Sequence, residues 1–155
     1  MTPGINVAIK SKVAHKVHEY SHDLSCESYG LEAAEKLAVP AERVFKTLVI
    51  SLNNKELAVA VLPVSTVLSM KKFAKAAGAK KAAMAAPLEV ERATGYVLGG
   101  VSPLGQKKRL KTVIDSSAEN HETIFVSAGR RGLEIELSPN DLKSLTASHF
   151  AEIAQ

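Results

Sequence analysis

Lys46 is the first residue of this sequence that could do chemistry. It lies in the run RVFKTLVISL, where strand alternation places it on one face with Val44, Leu48 and Ile50. A lysine among apolar neighbours must be paired, reach a wet cleft, or have a shifted pKa. The other interpretation is that it lies at the frayed start of the strand and extends into solvent. The run of apolar residues on its face favours a lysine at a cleft.

A glycine-dense loop, GYVLGGVSPLG, is the second candidate, and the basic residues KKR follow it after one glutamine. Gly99 and Gly100 allow close backbone approach, and exposed backbone N–H groups form concave sites for anions or developing oxyanions. Pro103 would stiffen the far side of the loop. The loop matches neither GxxxxGK[ST] nor GxGxxG. On the residues alone, a structural turn explains it equally well.

A second segment of similar character, VSAGRRGLEIEL, follows an apolar strand. It contains Ser127, Gly129 and Arg130, with Glu134 just beyond. Six of the nine glycines lie between positions 95 and 132, which predicts that two strand ends converge on one pocket. Ser127 is not in a GxSxG context, so it is not the nucleophile of an α/β-hydrolase elbow.

The remaining candidates are a histidine-rich segment and the single cysteine. His15, His18 and His22 match no common zinc spacing, so no metal site and no cofactor is predicted. Tyr20 shares a strand face with His18 and His22, as a polar aromatic near a site or as ordinary core material. Cys26 has no adjacent basic residue to lower its pKa, so it is not expected to be a reactive thiolate. The sequence therefore contains no convincing nucleophile–base pair.

Charge is distributed unevenly along the chain. The net charge is +4, but positions 71–111 contain ten Lys and Arg against two Glu. This pattern indicates an electropositive face for a polyanion, although solvated helix faces would also produce it. No apolar stretch approaches 18 residues and no signal sequence is evident, so we expect a cytoplasmic protein without membrane association.

The elements that must position these residues predict one domain over residues 1–155. Helical patterns with Ser, Thr or Pro at their starts alternate irregularly with strand patterns, and RVFKTLVISL and ELAVAVLP form an antiparallel hairpin. Because hairpins mix with single helices, we predict an α+β fold with one mostly antiparallel, curled or barrel-like sheet flanked by helices.

The strings TGYVLGGVSPLGQKKRLKTVID, VSAGRRGLEIEL, VFKTLV and the opening MTP closely resemble the YbaK-type Cys-tRNA(Pro) deacylases. These are stand-alone relatives of the editing domain inserted in bacterial prolyl-tRNA synthetases, and the resemblance covers essentially the whole chain. It implies removal, in trans, of cysteine from Cys-tRNA(Pro) or Cys-tRNA(Cys). The resemblance further implies that the thiol of the substrate serves as the nucleophile, which explains a site that lacks its own.

The resemblance also implies roles for individual residues. Lys46 would position the terminal adenosine or its phosphate, and Tyr20 would stand near the mouth of the site. Gly99, Gly100 and Ser102 would supply backbone groups that face the aminoacyl ester. The remaining assignments are substrate contacts at Pro103, Ser127, Gly129, Arg130 and Glu134, and tRNA contacts at Lys107, Lys108, Arg109 and Lys111.

Two other functions remain open on the sequence. One is a deacylase of Ala-tRNA(Pro), whose site would exclude larger residues and need no thiol. The other is a non-catalytic tRNA-binding module that kept only the basic face. Besides the acceptor end of the tRNA, the expected partner is prolyl-tRNA synthetase, which would supply tRNA selectivity.

Overall fold

The computed structural model describes residues 1–25 and 28–155. The expectation for Cys26 therefore lies outside the described residues. Most of the helices begin where the sequence provides a cap: the side chains of Thr2, Ser69 and Ser138 each accept a hydrogen bond from a backbone N–H of the first turn. The described helices are α1 (Pro3–Ser11), α2 (Tyr29–Leu37), α3 (Met70–Ala76), α4 (Pro87–Thr94) and α5 (Pro139–Thr146).

The described strands form two sheets. A five-stranded sheet has the order β4-β2-β3-β5-β8, with antiparallel pairs except for β3–β5 and β5–β8, which are parallel. A three-stranded antiparallel sheet has the order β1-β7-β6. The strands are β1 (His15–Glu19), β2 (Phe45–Leu52), β3 (Glu56–Pro63), β4 (Ala82–Met84), β5 (Lys111–Asp115), β6 (Ile124–Arg130), β7 (Leu133–Leu137) and β8 (His149–Ala151).

The two sheets meet at the start of β2. A single parallel bridge joins Val44 to Phe125, and beyond it the sheets diverge. The predicted mixed α+β class with flanking helices and mostly antiparallel pairing is confirmed. The strands are divided between two sheets at this seam, and the five-stranded sheet does not close on itself within the described residues.

Both faces of the β2–β3 hairpin are buried. Val59 and Val61 point into a core shared with α1, α5 and the smaller sheet, whereas Ala58, Ala60 and Leu62 point into a second core under α3. A strand that is covered on both faces has a continuous apolar sequence, which is why ELAVAVLP was recognisable as a central strand. This doubly buried hairpin is the rigid support for the residues of the site.

A candidate active-site cleft at the seam of the two sheets

A cleft of about 550 Å³ lies where the two sheets diverge. The edge strand β4 covers β2 only at Ile50–Leu52, so the first half of β2 keeps an open edge. The opposite wall comes from β6, β7 and the turn between them, and α2 and the glycine loop close the ends. The lining residues are Tyr20, Ser28, Tyr29, Gly30, Val44, Phe45, Lys46, Thr47, Leu48, Val64, Leu98, Gly99, Val101, Ser127, Arg130, Arg131 and Glu134.

Lys46 lies on the β2 wall of this cleft. Its Nζ donates a hydrogen bond of 2.6 Å to the backbone carbonyl oxygen of Thr66. Burial lowers the pKa of the Lys46 ammonium, because desolvation disfavours its charged form. Within residues 1–25 and 28–155, Lys46 forms no ion pair. The ammonium is therefore available to a negative group of a ligand.

Thr47 contributes a hydroxyl that the sequence analysis missed. Its Oγ1 is buried and has no hydrogen-bond partner within the described part of the chain. A buried polar group without a partner costs free energy, and such groups in a cleft are candidates for ligand contact. Strand alternation assigned Lys46 and Thr47 to opposite faces, yet both line the cleft because it opens on the edge of β2.

The glycine loop begins as a tight turn. The backbone N–H of Gly100 donates to the carbonyl oxygen of Val97 at 3.0 Å, so this N–H is already used inside the loop. Gly99 occupies the third position of the turn with φ +88°, a value that favours glycine. An added Cβ at Gly100 would lie 2.9 Å from the Cα of Arg130. The two glycine-containing segments are thus in direct contact, as the clustering of glycines predicts.

Ser102 and Pro103 lie beneath the loop and do not line the cleft. Ser102 is fully buried, and its Oγ accepts a hydrogen bond of 3.1 Å from the backbone N–H of Leu104. The start of α1 is wedged against this region: a Cβ on Gly4 would lie 3.0 Å from Ser102 Oγ and 2.9 Å from the carbonyl oxygen of Ala128. Ser102 and Gly4 therefore hold the two glycine segments together from behind.

The opposite wall presents Ser127 and Glu134, which are register partners on β6 and β7. Glu134 is 6% exposed, and burial raises the pKa of its carboxyl to about 8. Tyr20 reaches the mouth because its backbone N–H donates to the carbonyl oxygen of Gly132 at 2.9 Å. Gly129 lies behind this wall, where a Cβ would meet the ring of Tyr96 at 2.7 Å.

Three further lining residues were not singled out from the sequence: Tyr29, Gly30 and Arg131. A Cβ on Gly30 would lie 2.2 Å from Cγ1 of Val64, so glycine lets the first turn of α2 approach the end of β3. This approach brings the ring of Tyr29 to the cleft. Their only sequence signals were an aromatic at a helix start and the second arginine of SAGRRG.

The basic run that was predicted to contact tRNA lies outside the cleft. Lys107, Lys108 and Arg109 are exposed, beside the end of α4. Lys111 is already engaged, since its Nζ donates to the carbonyl oxygen of Ala77 at 2.9 Å and lies 4.0 Å from Glu56. A tRNA contact by this run would rest on the first three residues.

His18 on β1 and His22 just after it each have a carboxylate partner. His18 Nε2 lies 2.9 Å from Glu136 Oε1, and His22 Nδ1 lies 2.7 Å from Glu32 Oε1. Over residues 1–25 and 28–155, no three His, Cys, Asp or Glu side chains are grouped so that they could hold a metal ion. Among the described helices, none combines the length and the apolar character that a membrane span needs.

Comparison with known proteins gives consistent matches. Residues 27–145 match the profile of the family described as "Aminoacyl-tRNA editing domain". EbsC of Enterococcus faecalis, a proposed Cys-tRNA(Pro)/Cys-tRNA(Cys) deacylase, is 43% identical over 155 residues, covering 98% of this chain and 92% of EbsC. The uncharacterized protein YwhH of Bacillus subtilis is 31% identical over 117 residues, covering 76% of this chain and 74% of YwhH.

A solved structure shares the fold over the full length. The crystal structure of a proposed trans-editing enzyme for prolyl tRNA synthetase superposes with a TM-score of 0.84 at 21% identity, covering 100% of this chain and 99% of that one. At this identity the likeness concerns the fold alone.

Proposed function

The chain belongs to the aminoacyl-tRNA editing domain family, and we propose on that premise that it removes cysteine from Cys-tRNA(Pro) in trans. The observation that carries this proposal is the composition of the cleft. It provides an ammonium, a glycine turn and a buried carboxyl, but no His or Cys stands among its described lining residues. Such a site suits a substrate that brings its own nucleophile. In this proposal residues 1–155 act as one editing domain, located in the cytoplasm.

In the reaction that we propose, the thiolate of the cysteinyl group attacks its own ester carbonyl. A carbon–sulfur bond forms, and the bond between the carbonyl carbon and the 3′-oxygen (or 2′-oxygen) of the terminal ribose breaks. The thiol proton ends on that ribose oxygen, and the product is a cyclic thioester that water opens to free cysteine. The protein accelerates this sequence by fixing geometry and stabilising negative charge rather than by covalent catalysis.

Each wall of the cleft has a role in this mechanism. Lys46 holds the terminal adenosine or its phosphate, since its ammonium lies on the cleft wall and, among the residues that the structure describes, its hydrogen-bond partner is a backbone carbonyl. The hydroxyl of Thr47 donates to an oxygen of the ester or ribose, which would satisfy its vacant hydrogen bond. Glu134 receives the α-ammonium of the cysteinyl group, and a cation there would return its carboxyl to the charged form.

The remaining assignments concern the rim and the partners. Ser127 and Arg130 line the wall beside the ester, and Tyr20 stands at the mouth. The exposed residues Lys107, Lys108 and Arg109 hold tRNA phosphates without reading sequence. We propose that prolyl-tRNA synthetase presents the mischarged tRNA, which gives a domain of low tRNA selectivity its specificity.

The test compares three substrates on one tRNA: Cys-tRNA(Pro), Ser-tRNA(Pro) and Ala-tRNA(Pro). Serine is close to cysteine in size but lacks the thiol, so rapid release of cysteine with slow release of serine and alanine is expected. Rapid release of alanine would replace the proposal by an Ala-tRNA(Pro) deacylase. Equal release of cysteine and serine would exclude the thiol-assisted step. Binding without any release would leave a tRNA-binding module.

A further inference from the structure

A second groove lies at the other end of β2 from the cleft. It has a volume of about 390 Å³ and runs between α3, the β2–β3 turn and the segment that leads into β4. We propose that this groove binds the phosphodiester backbone of RNA, and that it holds the stem of the tRNA whose 3′ end occupies the cleft. The second half of this statement rests on the proposed function, whereas RNA binding by the groove does not.

The charge of the groove is uniformly positive. Lys71, Lys80 and Lys81 line it, and none of its described lining residues is acidic. All three lysines are exposed, and within the described residues their ammonium groups make no hydrogen bond or ion pair. By contrast, the neighbouring Lys72 donates to Glu152 at 3.0 Å and to the carbonyl oxygen of Ala154 at 3.1 Å. The groove thus brings together three lysine ammonium groups that have no ion-pair or hydrogen-bond partner within the described residues.

The backbone that carries two of these lysines is held in place. The side-chain oxygen of Asn53 accepts hydrogen bonds of 3.1 and 3.0 Å from the backbone N–H groups of Lys80 and Lys81. The backbone N–H of Asn53 in turn donates to the carbonyl oxygen of Lys81 at 3.0 Å. Asn53 and Asn54 both have positive φ, which forms the tight hairpin turn that offers this cap. The backbone positions of Lys80 and Lys81 are therefore fixed by the hairpin turn.

The groove and the cleft are connected by one strand. Thr47 lines the cleft and Ser51 lines the groove, four residues apart on one strand and hence roughly 13 Å. A nucleic acid strand carries a negative charge at every nucleotide, so a chain leaving the cleft along β2 meets the groove within a few phosphates. Lysines act on phosphate as point charges and need no base-specific geometry. The groove accordingly fits an RNA backbone better than a small anion, which would require convergent buried donors.

The experiment measures binding of an uncharged tRNA(Pro) transcript at several salt concentrations. The groove variant is Lys71→Gln/Lys80→Gln/Lys81→Gln. The control is Lys10→Gln/Lys12→Gln/Lys16→Gln, which removes equal charge from exposed positions in α1, directly after it and in β1 that lie outside the groove and the cleft. We expect the groove variant to bind roughly tenfold more weakly near 100 mM salt and its slope of log K against log [salt] to fall by about 2–3, because each phosphate contact adds nearly one.

The outcomes separate the groove from the proposed reaction. Equal loss of affinity in both variants would indicate a general charge effect and would overturn the proposal that the groove binds RNA. An unchanged affinity and slope in the groove variant would also overturn the proposal. The lysines would then serve a different partner, such as an acidic protein surface. Absence of deacylation by the wild type would refute the proposed function, yet a reduced slope in the groove variant would still establish RNA binding there. If the groove binds RNA and the protein is a deacylase, the groove variant should have a higher KM for Cys-tRNA(Pro) and an unchanged kcat.

Discussion

The guanidinium carbon of Arg131 lies 3.6 Å from the centroid of the Tyr29 ring. This cation–π pair joins the β6–β7 turn to the first turn of α2, across one end of the cleft. Gly99 lies directly against it: an added Cβ would be 2.6 Å from Arg131 Nε and 2.9 Å from Tyr29 Cε2. Three elements distant in sequence therefore meet at one contact, and the absence of a side chain at position 99 permits it.

Gly99→Ala should displace this stacked pair. The substitution meets two penalties, the positive φ of +88° and the contact with Arg131 and Tyr29. Gly78→Ala is the matched control, because Gly78 has φ +75° but an added Cβ there meets nothing within 4 Å. Both variants should lose about 1 kcal/mol of unfolding free energy from backbone strain. Only Gly99→Ala should also lower kcat/KM for deacylation, by tenfold or more; equal activity of the two would show that the stacked pair does not support the site.

Lys46→Ala should remove most of the deacylase activity. If the ammonium holds a phosphate or the ribose during attack, its loss should lower kcat by on the order of 100-fold, as for other preorganised donors. The fold should persist, because the Lys46 side chain makes a single hydrogen bond within the described residues, to the carbonyl oxygen of Thr66. Lys16→Ala, at an exposed position of β1, serves as the control. Activity of Lys46→Ala within twofold of wild type would remove this residue from the mechanism.

The strands that carry the site residues were predictable because their burial is visible in their own apolar sequences. The continuous apolar runs of β2 and β3 identified the central hairpin, and the caps Ser69 and Ser138 marked helix starts. Two short strands give no such signal, since neither Ala82–Met84 nor His149–Ala151 contains a β-branched residue. Strands of three residues at sheet edges are decided by the neighbour that they pair with, which no local pattern contains.

The wall of the cleft was predictable only in part, for a geometric reason. Lys46, Ser127 and Glu134 carry residue types that are unusual in an apolar strand, so they were visible. Thr47 is ordinary strand material, and its importance lies in a hydroxyl left without a partner at an uncovered strand edge. The expectation for Ser102 concerned its backbone groups and came from the family resemblance; the structure adds that its side chain accepts a hydrogen bond from the backbone N–H of Leu104.

Thr47→Val tests whether that hydroxyl serves a ligand. Valine has nearly the same shape and removes a buried group that has no partner within the described residues, so the free protein should gain about 1 kcal/mol of stability. The same change should lower kcat/KM for Cys-tRNA(Pro) roughly tenfold, because the substrate loses a hydrogen bond. Thermal unfolding and deacylation rates measured on one preparation would show whether stability rises while kcat/KM falls. A loss of stability with full activity would mean that Thr47 is a structural residue.

Glu134→Gln tests the buried carboxyl through the pH dependence of stability. Burial raises the pKa of Glu134 to about 8 in the folded protein, against an ordinary value of 4.5. Between these values the folded state retains a proton that the unfolded state has released, so the free energy of unfolding falls as pH rises from 4.5 to about 8. Glutamine cannot ionise, and the stability of the variant relative to wild type should therefore grow with pH. The growth should be on the order of 2–4 kcal/mol between pH 5 and pH 8, or roughly 5–10 °C in Tm.

Glu136→Gln provides the control of opposite sign on the same strand. Burial acts to raise the pKa of Glu136, but hydrogen bonds from Thr123 and His18 hold it below its usual value. Its contribution to stability is present above pH 4.5 and disappears as pH falls further. Glu136→Gln should therefore be less stable than wild type at neutral pH, and the deficit should shrink on acidification.

If the Tm difference between Glu134→Gln and wild type stayed constant from pH 5 to pH 9, the carboxyl of Glu134 would not be protonated in the folded protein, and its charged form would have to be stabilised by a group in the cleft.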